Sequence, residues 1–158
     1  MEPKVIRKDE FKVMGMKYVG KNKFGEISQL WMDFNPRIQE IKNFSPDPDF
    51  GDVAFGLCSC VQGAEPGVFE YLACLPVSSI DEVPEGMVGK VVPEQTYVIV
   101  EAKGIKEIGS AYEFILKKWL PSSGYSAGDG PDFELYPEDF DIQNPESPVL
   151  IFFPVKKK

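Results

Sequence analysis

The fold is decided by two stretches that resemble each other: Met16-Lys17-Tyr18-Val19-Gly20 leading into Glu26-Ile27-Ser28-Gln29-Leu30-Trp31-Met32-Asp33-Phe34, and Tyr97-Val98-Ile99-Val100-Glu101-Ala102 leading, through Lys103-Gly104-Ile105-Lys106, into Ile108-Gly109-Ser110-Ala111-Tyr112-Glu113-Phe114-Ile115. Each is a β-rich run followed by an amphipathic segment. In the first, Ile27, Leu30, Trp31, Phe34, Ile38 and Ile41 fall at three- and four-residue intervals and make one apolar stripe, which Pro36 either kinks or ends near Phe34. In the second, Ile108, Tyr112, Ile115 and Trp119 share one side, and Leu120-Pro121 stops the helix.

Working outward, each helix is followed by two further strand candidates. They lie at 52–61 and 68–77 in the first half and at 131–137 and 149–155 in the second, rich in Val, Ile, Phe and Tyr and separated by turns such as Gln62-Gly63 and Ala64-Glu65-Pro66-Gly67. Both halves therefore read β-α-β-β, with repeat one at about 1–79, repeat two at about 90–158, and 80–92 as the join. The expected architecture is α+β: duplicated units about a pseudo-twofold, an antiparallel sheet, two main helices and a ligand cleft between the repeats. The whole chain, 1–158, is read as one domain, a size that buries a core without disulfide or metal staples.

Composition narrows the function. The 25 acidic and 17 basic residues give a formal charge of −8, which opposes direct nucleic-acid binding, because that depends on Lys and Arg displacing phosphate counterions. The basic cluster Lys156–Lys158 reads as a frayed, solvated tail. With no histidine, the triad and Cys-His nucleophile systems are excluded, as is any histidine zinc site. Cys58, Cys60 and Cys74 sit in strand-like runs and read as small buried hydrophobes, with no disulfide framework. Neither a metal nor a cofactor is expected. The N-terminal decapeptide has no apolar signal core, and no run approaches a membrane span, so a cytoplasmic location is expected.

The candidate chemistry lies on strand 132–136. Alternation puts Asp132, Glu134 and Tyr136 on one face and Phe133 and Leu135 on the other. A mid-strand glutamate is commonly a solvated face residue. Here, however, it is flanked by bulky apolar side chains and placed opposite Phe55-Gly56-Leu57 of the first repeat, so a large acid faces an empty position. A partly buried carboxylate without a fixed cation favours a cationic guest. Tyr71, Tyr112, Trp119 and Tyr136 are the candidate aromatic walls, since each carries a polar handle that needs a partner. Trp31, Phe34 and Phe69 read as core. Glu101 is weighed as a carboxylate partner for Glu134 in acid–base work and is not favoured.

The runs Trp119-Leu120-Pro121-Ser122-Ser123-Gly124-Tyr125, Gly130-Pro131-Asp132-Phe133-Glu134-Leu135-Tyr136 and Ile151-Phe152-Phe153-Pro154-Val155, with Phe69-Glu70-Tyr71-Leu72-Ala73-Cys74 in outline, resemble the GyrI-like small-molecule-binding domain. That domain is also the effector-binding domain of AraC-type and MerR-type multidrug-responsive transcription regulators. The resemblance implies a duplicated β-α-β-β fold, a pocket at the pseudo-twofold and a cation-binding role for Glu134. Residues 1–20 read directly as the first strand rather than as a helix-turn-helix, so the chain is similar to stand-alone members. The function expected is capture or sensing of a lipophilic, cationic aromatic compound. The alternatives are a hydrolase with Glu134 as general base, and a module that docks on a protein partner.

Overall fold

The computed structural model describes residues 2–158. It builds one continuous antiparallel sheet from β1 (Lys4–Lys8), β2 (Phe11–Gly20), β3 (Val53–Cys60), β4 (Phe69–Val77), β5 (Val88–Val92), β6 (Gln95–Lys103), β7 (Tyr125–Ala127), β8 (Asp132–Pro137) and β9 (Pro148–Lys157). The order across the sheet is β1-β6-β9-β8-β3-β4-β2-β5, with β7 added beside β9. The expected α+β duplication is present, and the pseudo-twofold runs between β8 and β3.

The first half has one strand more than the sequence pattern implies, β1, and the second has two, β5 and the short β7. Residues 4–20 form two strands broken at Asp9-Glu10, and the join at 80–92 contains β5. Of these, β1 and β5 are exchanged: β1 precedes β2 but pairs with β6 of the second repeat, while β5 precedes β6 but pairs with β2 of the first. Both unmatched edges of the central sheet are thereby covered by the other half. The chain end is not frayed as expected, because Lys156 and Lys157 belong to β9 and pair with Ser126 and Tyr125.

Alternation gives the sheet two different faces. One buries a core drawn from both repeats, including Val13, Phe55, Leu57 and Leu72 from the first and Tyr97, Phe133, Leu135 and Phe152 from the second. Its centre is a ring assembly in which Phe133 and Phe152 stack with centroids 4.5 Å apart. A buried Lys8–Asp47 ion pair, with the ammonium over Phe11 and Phe50, ties the exchanged strand β1 to the loop before β3.

The opposite face carries both helical segments. The first is α1 (Glu26–Phe34), continued by a 3-10 turn over Asn35–Glu40 in which Pro36 falls near the start. Leu30, Phe34 and Ile41 pack there on Met14, Tyr71, Ala73 and Val77. The second begins with a 3-10 turn at Ile105–Glu107, continues as α2 (Ile108–Phe114), widens to a π-helical turn at Ile115–Trp119 and ends at Leu120–Ser122. Ala111 and Ile115 pack on Val98, Val100, Val149 and Ile151. Thus the shared face holds the molecule together, whereas the helix face has two separate cores, one per repeat, with the β3–β8 seam between them. Among the described residues no helix is long and apolar enough to cross a membrane.

Candidate functional site

The seam pairs Gly56 with Glu134 and Cys58 with Asp132, and register puts all four on the helix face. Glu134 retains 9% of its surface exposure. Its Oε1 accepts two phenol hydrogen bonds, from Tyr136 at 2.7 Å and Tyr71 at 2.9 Å. The Tyr71 oxygen in turn accepts the indole N–H of Trp31 at 3.0 Å. No described residue donates to Oε2. The cluster exists because position 56 has no side chain: a Cβ there would lie 2.0 Å from the Tyr71 hydroxyl and 2.7 Å from Glu134 Oε1.

Two residues along β8 a second arrangement repeats the first. Tyr112, from α2, donates to Asp132 Oδ1 at 3.2 Å, and Cys58 shares its strand pair. Burial pushes the Asp132 carboxyl up to about 6, against the Tyr112 and Cys58 hydrogen bonds that hold it down. Burial also raises Glu134 above the ordinary carboxylate range, partly offset by the Tyr136 and Tyr71 hydroxyls, while the charge of Asp132 pushes it further up. Neither acid has a Lys or Arg nitrogen within 4.0 Å among the described residues. The strand therefore presents two desolvated carboxylates held by phenols and neutralised by no base among the described residues.

A cleft of about 590 Å³ opens at the Asp132 end, with Cys58, Phe69, Tyr112, Asp129, Pro131 and Asp132 among its walls. That volume lies in the range of small-molecule sites. Glu134 is not on this wall. It lies deeper along the strand, where the Trp31 ring stands edge-on to Tyr136 and Tyr71, at centroid distances of 5.5 and 6.5 Å.

Of the five residues singled out from sequence, Glu134, Tyr71 and Tyr136 form one hydrogen-bonded cluster and Tyr112 stands beside the neighbouring carboxylate. Trp119 is elsewhere. It stacks on Tyr125 at 5.7 Å, with 19° between the rings, and packs into the second-repeat core. In a regular α-helix it would share the face of Tyr112 seven residues earlier; the π-helical turn adds a residue and rotates it away. Glu101 is also remote: its row across β6, β9 and β8 is Leu150 and Leu135, while Glu134 aligns with Ile151 and Val100, so the two acids occupy opposite faces. Among the cysteines only Cys74 is fully buried; Cys58 is half-buried and Cys60 exposed at the cleft. Trp31 and Phe69, read as core, belong to the site's surround, and Asp132 was on the correct face without being assigned a role. The one sequence sign for Trp31 was its indole N–H, a donor that a buried ring must satisfy. Among the described residues no group of three or more potential ligands is placed to hold a metal ion.

Comparison with known proteins places this arrangement. The family model described as "integron-associated effector binding protein" matches residues 4–155. The transcriptional regulator BrlR of Pseudomonas aeruginosa is 33% identical over 157 residues, covering 98% of this chain and 56% of BrlR, so the chain spans about half that relative's length. Among solved structures, SAV2435 bound to tetraphenylphosphonium superposes with a TM-score of 0.76 at 18% identity, over 99% of this chain and 94% of that one. The C-terminal domain of EcmrR gives 0.73 at 21% identity, over 99% and 98%. These two share the fold. With the family model covering nearly its whole length, the chain belongs to the Cass2 family of integron-associated effector-binding proteins, a GyrI-like effector-binding fold.

Proposed function

We propose that this effector-binding domain captures a lipophilic aromatic organic cation, with Glu134 as the charge-recognising group and Tyr71 and Tyr136 as the phenols that fix it. Tyr112 contributes an aromatic wall on the approach. The observation that carries this reading is a carboxylate that is nine-tenths buried, held by two hydroxyls and opposed by no basic side chain among the described residues. Removing such a group from water is unfavourable unless a positive charge is brought to it. A hydrated inorganic cation has no cage of oxygen ligands here, whereas an aromatic cation gains contact with the rings of Trp31, Tyr71 and Tyr136, each worth ~0.5–2 kcal/mol. The tetraphenylphosphonium held by SAV2435 is a guest of this chemistry on the same fold.

The same site would serve a sensing domain joined to a DNA-binding segment, as the name of BrlR suggests for a longer chain, or a separate protein that sequesters the compound. In either setting the acidic surface of this domain disfavours phosphate contact of its own.

The test is titration of purified protein with tetraphenylphosphonium. Glu134→Gln keeps the shape and both phenol partners but removes the charge, so affinity should fall about 10- to 100-fold, the range for a charge-assisted contact. Unchanged affinity in a folded variant would refute the assignment. Turnover of an ester probe that Glu134→Gln abolishes would instead establish the hydrolytic alternative.

A further inference from the structure

We propose that Asp132 is a second cation-recognising carboxylate at the cleft mouth, and that the favoured ligands are aromatic dications whose two charges bridge Asp132 and Glu134. The inference rests on the cation-binding reading and adds to it the number and spacing of the ligand's charges.

Three observations carry it. Asp132 and Glu134 project from one face of β8 two residues apart, a separation of about 7 Å at the rise of a β-strand. Asp132, unlike Glu134, is itself on the wall of the 590 Å³ cleft, beside Tyr112 and Phe69, so a ligand that reaches Glu134 through this opening passes it. Each acid is held by phenols rather than by a base, Asp132 by Tyr112 and Glu134 by Tyr71 and Tyr136, and Glu134 Oε2, on a residue nine-tenths buried, has no donor among the described residues. The third acid of the cleft behaves differently: Asp129 is exposed and faces Lys156 at 3.9 Å, so solvent and a lysine already screen it.

The energetics follow from this placement. In the free protein the two carboxylates repel each other across a poorly hydrated gap, and the charge of Asp132 is felt at Glu134. A monocation at Glu134 neutralises one and leaves the other desolvated and unpaired. A rigid aromatic spacer with a cation at each end neutralises both, with its ring against Phe69 and Tyr112 of the cleft wall.

The experiment compares 4-methylbenzylamine with 1,4-bis(aminomethyl)benzene, which share an aromatic core and differ by one ammonium, by calorimetric or NMR titration of the full chain at neutral pH. The diamine should bind about tenfold more tightly or better. Asp132→Asn should bring the two amines to within about twofold of each other, the diamine losing its advantage, and Glu134→Gln should weaken both amines. No preference for the diamine, or a preference that survives Asp132→Asn, overturns the inference while leaving the Glu134 site intact. Loss of Glu134 dependence for every cation overturns the underlying reading instead. Melting curves of each variant establish that it is folded.

Discussion

At Asp132 the folded state keeps a proton that the unfolded chain releases more readily, and this fixes the sign of a pH effect. Its carboxyl titrates near 6 in the fold against an ordinary value of 3.8. Between those values the native state binds more protons than the unfolded state, so stability falls as pH rises through the interval, and the deficit is complete above it. Glu134 shifts in the same direction. Asp132→Asn, which can still accept the Tyr112 hydroxyl, should therefore stabilise the ligand-free protein at pH 7.5 by ~1–3 kcal/mol, or several degrees in Tm. That gain should vanish at pH 4, where the native aspartate is itself neutral. Thermal melts of the two proteins at both pH values check this, and a variant that melts lower at pH 7.5 would mean that the aspartate charge is compensated. Much of this site was legible in the residues: Glu134 against Gly56 follows from period-two alternation and strand pairing. The partnership of Asp132 with Tyr112 was not, because the reach of a helix side chain to a particular strand residue depends on how the helix lies over the sheet.

Among the elements, α1 is the one that brings an aromatic ring from outside the sheet to the Glu134 cluster. It is short: of its nine residues Leu30 and Phe34 are buried, and its start is fixed not by Gly25 at the N-cap but by Asn22, which accepts the Ile27 N–H, and by Glu26, which accepts the Tyr18 hydroxyl and the Phe24 N–H. It carries Trp31, whose N–H to Tyr71 closes the cluster. Trp31→Phe retains a ring but gives up the larger indole face and the hydrogen bond that orients Tyr71, so affinity for tetraphenylphosphonium should fall, by up to about fivefold. Unchanged or tighter binding by the folded variant would mean that the indole is not a wall of the bound state. The sequence reading took Trp31 as core because its place on the apolar stripe predicts burial, and a stripe does not distinguish packing from a hydrogen bond beneath it. The position of Trp119, away from the Glu134 cluster, has a related origin. A periodicity of 3.6 assumes an unbroken helix, and no residue in Ile115–Trp119 announces a π-helical turn.

For the whole molecule, duplication and exchange have different consequences. Two units that each completed their own sheet would fold separately and meet at a flexible boundary. Here β1 completes the second unit, β5 completes the first, and the core on the helix-free face draws its large side chains from both. The sequence showed the duplication, since β2, β3, β4, β6, β8 and β9 are long and apolar. It hid the exchange, because Lys4–Lys8 and Val88–Val92 are short and carry lysine, arginine or glycine, and strand pairing between distant segments leaves no local mark. The exchange holds the β3–β8 seam, and with it Gly56 against Glu134, at a fixed register, since neither half can shift without unpairing an edge strand of the other. Expressed alone, residues 1–79 and 80–158 should each lack a cooperative thermal transition, and mixing them should restore the far-ultraviolet circular dichroism of the intact chain together with tetraphenylphosphonium binding. A monomeric half that melts cooperatively by itself would show that the seam joins two finished domains, in which case the site's geometry would have to be maintained by the seam contacts alone.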